Sequence, residues 1–160
     1  MDCFTKITER LQSAYRSYET KIETDNGINY FVIINPFWDE NIRVSYDENS
    51  IILFFSFQHA HFYYCNDIDE NIDSLIEYIN EYLVGKRVVI EFLHDEKSLF
   101  GGDYNPSDID TSSSKSILQT FAGVNTDLFE FLCEKIRGCR CRCSIRGWDN
   151  ANNKDIEFTL

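Results

Sequence analysis

Ile51-Ile-Leu-Phe-Phe-Ser-Phe-Gln-His-Ala-His-Phe-Tyr-Tyr64 is the longest β-prone, aromatic-rich run of the chain, and neither Gly nor Pro interrupts it. At period two, one face carries Ile51, Leu53, Phe55, Phe57, His59, His61 and Tyr63. The other carries Ile52, Phe54, Ser56, Gln58, Ala60, Phe62 and Tyr64. Both faces are apolar through the first half, the pattern of a central strand covered on both sides. Beyond Gln58 the pattern mixes, so the expectation is one long strand whose far end reaches a cleft or the rim of a sheet.

Around that run the order of elements is legible. Phe4, Ile7, Leu11, Ala14, Tyr15 and Tyr18 recur every three or four residues and predict an amphipathic helix over 2–19. Asn26-Gly27 between two β-prone runs is a strong hairpin signal, since both turn positions need positive φ. Residues 42–46 form a further short strand.

Residues 66–84 carry the clearest helical stripe, Ile68, Ile72, Leu75, Ile76, Ile79 and Leu83, with Asp67 or Asp69 as cap and Gly85 as stop. Strands follow at 87–94 and 98–100, the second ended by Gly101-Gly102. A polar loop spans 103–114, and 116–124 fits strand or helix equally. Asn125-Thr126-Asp127 caps a helix to Arg137, and 139–148 with 155–160 closes the chain as a hairpin. The sum is an α+β domain over residues 1–160, with a mainly antiparallel sheet of six to eight strands and two to three packed helices.

Composition narrows the function classes. The chain has 160 residues, 43% hydrophobic and 15% aromatic, which is enough for a real core. A formal charge of −12 disfavours nucleic acid as a partner, because phosphate contacts need surplus Lys and Arg. No apolar run reaches the roughly 18 residues that a spanning helix needs, and residues 1–10 hold no apolar core of signal-peptide length. Six unevenly spaced cysteines without a secretory signal read as reduced thiols. The expectation is a cytoplasmic protein with no membrane partner and no cofactor.

Three constellations are candidates for function. The first is the acid row of the second helix: Asp69, Asp73, Glu77 and Glu81 recur every four residues, with Glu70 beside them and no Lys, Arg or His between 66 and 84. Like charges four apart each cost about 0.2–0.5 kcal/mol, and Glu81 also opposes the helix dipole. Such a row is either a solvated face or a docking stripe for a basic protein, with its benefit in association rate and partner choice. These five residues are the candidate partner-binding set, and no catalytic residue or metal ligand is assigned.

The second is Gly138-Cys-Arg-Cys-Arg-Cys-Ser-Ile-Arg146. As a strand it puts Cys139, Cys141, Cys143 and Ile145 on one face, and Arg140, Arg142, Ser144 and Arg146 on the other. The cysteines then form a small-residue core stripe, while the arginines pair with Asp155 and Glu157 or face an anion. Metal or thiol chemistry at Cys139, Cys141 and Cys143 is the alternative, with Cys133 or a histidine completing a zinc set, although the C-x₂-C spacing of structural sites is missing.

The third is His59-Ala-His61, two imidazoles on one strand face, with Cys65 or His94 as a conceivable third ligand. A small-ligand pocket at the Gln58–Tyr64 strand end is a further reading. No nucleophile elbow, P-loop or dinucleotide fingerprint occurs.

From Ile72 to Gly102 the chain runs as a capped acidic helix ending Tyr82-Leu-Val-Gly85, then Lys86-Arg-Val-Val-Ile-Glu-Phe92, a tight turn and Phe100-Gly-Gly102. In this layout, its size and its charge it resembles the small immunity proteins that bacteria make against contact-dependent or polymorphic toxins. The resemblance implies a non-catalytic inhibitor that binds a cognate toxin domain. Many such toxins are basic nucleases, which suits the acid row.

Overall fold

The computed structural model describes residues 2–63 and 67–160. It is α+β, and every strand pairing is antiparallel. The chain gathers into two compact units, Met1–Leu83 and Val84–Leu160. The expectations that fall on Tyr64, Cys65 and Asn66 lie outside the described residues.

The first unit is a five-stranded meander with two helices. Asp2 caps α1 (Cys3–Ala14), its carboxylate accepting the Thr5 amide at 3.0 Å. The helix stops at Tyr15, short of the expected residue 19, where the backbone leaves helical geometry at φ −109° and ψ 28°; the Tyr15 hydroxyl donates to the Ile76 carbonyl at 3.0 Å and ties this end to the second helix. β1 (Thr20–Asp25) and β2 (Ile28–Ile33) meet at Asn26 and Gly27, with φ of 50° and 82°, as the dipeptide predicts. β3 (Ile42–Tyr46) and β4 (Ser50–Phe55) continue the meander.

The 51–64 run is not one strand. It folds back at Ser56-Phe57, and β5 (Gln58–Tyr63) pairs with β4 as the sheet's edge. Ser56 takes φ 54°, a conformation usually left to Gly or Asn, so the apolar pattern hides the turn. The two-residue turn pairs Phe55 with Gln58 and Phe54 with His59, which inverts side-chain parity across it. Ile51, Leu53 and Phe55 therefore share the buried face with Gln58, Ala60 and Phe62. His59, His61 and Tyr63 emerge on the opposite face with Ser50, Ile52 and Phe54, rather than beside Leu53 as a continuous strand would have it.

Helix α2 (Ile68–Leu83) covers the buried face. Its Tyr82 ring lies 4.9 Å from Phe55, and Tyr78 lies 5.5 Å from Phe62. Ile72, Leu75 and Ile79 are fully buried, together with Ile7 and Leu11 of α1 and Phe31, Ile33, Ile42 and Val44 of the sheet.

The second unit is a four-stranded sheet in the order β7-β6-β8-β9, packed on two helices. β6 (Val88–His94) and β7 (Lys97–Tyr104) turn at Asp95 and Glu96, both with positive φ, and the register slips by a bulge at Phe92/Leu93. β7 does not end at Gly101-Gly102 but runs to Tyr104. The Tyr104 ring lies across Gly102, 3.1 Å from where a Cβ would stand, so the glycine supplies the space that the ring fills.

The ambiguous segment is a helix, α3 (Ser114–Ala122), followed by α4 (Thr126–Lys135) with Asn125 as its cap. β8 (Arg140–Arg146) and β9 (Lys154–Thr159) form the closing hairpin. The split hairpin brings the described strands to nine, and α3 brings the helices to four.

Phe92 is the hub of this core, with Phe100 stacked at 4.8 Å, Phe121 edge-on at 4.8 Å and Phe158 edge-on at 5.2 Å. Truncating it leaves a cavity ringed by stiff rings that cannot collapse. We expect Phe92→Ala to cost about 3–5 kcal/mol, read as a lower urea midpoint for the second unit; a shift worth less than about 1 kcal/mol would contradict this packing. Tyr15→Phe, which keeps the ring and removes one hydrogen bond, should cost about 1 kcal/mol, read as a lower urea midpoint for the first unit.

Candidate functional site

The acid row of α2 does not present one uniform surface. Steps of four residues advance about 40° around a helix of 3.6 residues per turn, so the row drifts across the helix face. Asp69 and Asp73 turn toward α1, where Lys6 Nζ donates to Asp69 at 2.7 Å and Arg10 Nη1 reaches the same carboxylate at 3.3 Å. The other end of the Arg10 guanidinium pairs with Asp73. These half-exposed pairs are worth at most about 1 kcal/mol each, but they fill the acceptors that a partner's cations would use.

Glu70 and Glu77 are exposed on the side away from the buried stripe, and no described cation pairs with them. Glu81 is half-buried and already engaged with neighbouring groups. The five residues are thus divided: two tied to α1, one engaged, and two open to solvent.

A second acidic surface in the same unit was not visible in sequence. Glu23 and Asp25 from β1 and Asp39 and Glu40 from the loop after β2 line an open groove of about 580 Å³ around Arg43. Arg43 reaches Glu23 at 2.8 Å, and its guanidinium lies over the Tyr30 ring at 4.0 Å. Hydrogen bonds from Lys21 and then the Arg43 charge hold the Glu23 carboxyl below its usual range. These acids come from separate turns of the meander, so no periodic signal announces them.

On the open face of that sheet the inverted parity produces a row of rings. Tyr30 meets Phe54 at 5.9 Å, Phe54 meets His59 at 6.0 Å, His59 meets His61 at 5.2 Å, and His61 stacks on Tyr63 at 5.4 Å. Both histidines and Tyr63 are exposed. Behind His61, the buried Ser50 hydroxyl lies 3.3 Å from Nδ1 and 3.2 Å from the Asp47 carboxylate. Amide hydrogen bonds from Asn49 and Ser50 hold the Asp47 carboxyl below its usual range.

The Cys-Arg hairpin of the second unit folds as its alternation predicts. Cys141 and Cys143 are buried against Phe158 and Ile156 of β9, while Arg140 pairs with Glu157 and Arg146 with Asp155 at 2.8 Å. Arg142 reaches instead to Glu96 in the β6–β7 turn at 2.6 Å. The Asp155 carboxyl feels burial pushing it up, but the Ser144 hydroxyl and the Arg146 guanidinium together hold it below its usual range. Burial pushes the Cys143 thiol up to about 12 and raises Cys141 as well, the opposite of what a nucleophilic thiolate or a ready ligand needs. The five described cysteines are free thiols, and no three His, Cys, Asp or Glu side chains gather as a metal set among the described residues. Nor is any described helix long and apolar enough to cross a membrane.

Compared with known proteins, the chain matches no family model, no curated protein and no solved structure.

Burial should be directly visible in thiol chemistry. In native protein at pH 8, we expect Cys143 to resist a thiol reagent such as DTNB while the partly exposed Cys139 reacts, with all six cysteines reacting after denaturation. Mapping the labelled peptides by mass spectrometry checks this, and rapid native labelling of Cys143 would show that the strand is open.

Proposed function

We propose that the chain is a non-catalytic protein-binding module for a basic partner, of the kind exemplified by immunity proteins that block a toxin domain. The observation that carries this reading is the open carboxylate pair Glu70 and Glu77, on an outward helix face that holds no cation, in a chain of net charge −12. With no described cation to release first, these two carboxylates can take an incoming Lys or Arg directly, and their field draws a basic partner in. The acid groove of Glu23, Asp25, Asp39 and Glu40 adds field of the same sign. The alternative of thiol or cysteine-metal chemistry is weakened by the burial of Cys141 and Cys143.

The pairing on α1 fixes which substitutions test the reading. Reversing Asp73 would also break the Arg10 clamp, so its effect would mix docking with packing. Glu70→Lys/Glu77→Lys touches no described ion pair. With the partner recovered from the native host by low-salt pull-down, the double variant should lower the association rate about tenfold or more, with dissociation little changed. The wild-type rate should also fall steeply between low and high salt. An unchanged association rate in the variant would place docking elsewhere, and failure to recover any basic protein at low salt would remove the reading itself.

A further inference from the structure

The Ser56-Phe57 turn places His59 and His61 side by side on the exposed face of an edge strand, their rings 5.2 Å apart. Each ring is braced by an aromatic neighbour, His59 by Phe54 and His61 by Tyr63. The hydrogen bonds behind His61 then settle which nitrogen is available. An ionised carboxylate only accepts, and a serine hydroxyl has one proton to give. Ser50 Oγ therefore donates to Asp47 Oδ1 and accepts from His61, so the neutral imidazole carries its proton on Nδ1. Nε2 keeps its lone pair.

This arrangement, one imidazole nitrogen donating to a carboxylate-backed acceptor and the other bare, is how proteins orient metal-binding histidines. Two nitrogens bound side by side to one ion, each at about 2.1 Å, stand about 3 Å apart, a separation that rings at this spacing can reach by modest side-chain rotation.

We propose that His59 and His61 form a two-imidazole clip for a first-row divalent metal ion that favours nitrogen ligands, such as nickel(II), copper(II) or zinc(II). No third His, Cys, Asp or Glu among the described residues joins the pair. The remaining coordination positions are filled by water and stay open to an incoming ligand. Ser50 is a positioning residue that acts through His61, with Asp47 behind it. The site is independent of α2, so it stands or falls apart from the docking reading.

The probe is nickel(II), which does not oxidise the free thiols, titrated calorimetrically into metal-free, untagged full-length protein. The expected result is one tight equivalent per chain, lost or weakened at least tenfold in His59→Gln and in His61→Gln, with circular dichroism confirming the fold. Ser50→Ala keeps both ligands and should weaken binding about tenfold or more. Nitrogen-15 imidazole spectra of the metal-free protein should show the Nδ1–H form of His61, and nickel should broaden the His59 and His61 signals before that of His94. Equal affinity in wild type and both Gln variants would mean adventitious binding to surface carboxylates and would overturn the clip. Wild-type affinity in Ser50→Ala, or the Nε2–H form of His61, would overturn the positioning role.

Discussion

Ser56 holds a left-handed backbone at φ 54°, and the face assignment of the edge hairpin follows from it. A two-residue turn makes the paired positions sum to an odd number, so side chains of odd number on β4 share a face with those of even number on β5. Ile51, Leu53 and Phe55 are thereby free to meet α2, and the polar half of the run is delivered to the other side. A continuous strand would have placed His59 and His61 on the face where α2 packs, and two imidazoles buried there without partners would cost several kcal/mol. Burial of three aliphatic and aromatic side chains and exposure of two histidines thus have one backbone cause.

The charges of the first unit are arranged by the same economy of partners. α1 carries Lys6 and Arg10 one turn apart, the spacing at which one helix face can hold two successive carboxylates of another. Asp69 and Asp73 meet them, while Glu77, a further turn along, has rotated out of reach. The surface charge that remains is therefore the part of the row which helix packing could not neutralise. In the second unit the cross-strand ladder does the equivalent work, Arg140 and Arg146 each facing an acid of β9.

Sequence legibility followed how local each determinant is. Asn26-Gly27, the Asn125 cap and the stripe of α2 are set by near neighbours and were readable. Alternation in 138–146 was readable too, and so were Glu157 and Asp155 as partners of Arg140 and Arg146, because a hairpin register extends a local pattern to its partner strand; the reach of Arg142 to Glu96 in another turn was not. The turn at Ser56-Phe57 was not readable either, since it holds none of the Gly, Asn or Asp residues that usually take the positive φ of a two-residue hairpin turn, and β-prone residues flank it on both sides. Gly101-Gly102 looked like a strand end because the reason for a glycine there is the ring of Tyr104 above it, a tertiary fact. The acid row was visible, but its division by Lys6 and Arg10 was not. A contact spanning some 60 residues leaves no mark in a single helix.

This division bears on where recognition can occur. A carboxylate already paired must release its cation before it binds another, so exchange at Asp69 or Asp73 gains little net energy, whereas Glu70 and Glu77 gain the full interaction with an incoming Lys or Arg. The open carboxylates also sit on a helix whose opposite side is fully buried, so they are held on a rigid element rather than a loop. Rigid presentation lowers the ordering cost of association and lets long-range attraction act on a fixed geometry. Placement opposite the buried stripe is common to every solvated helix face, so what sets Glu70 and Glu77 apart from Asp69 and Asp73 is that no described cation pairs with them.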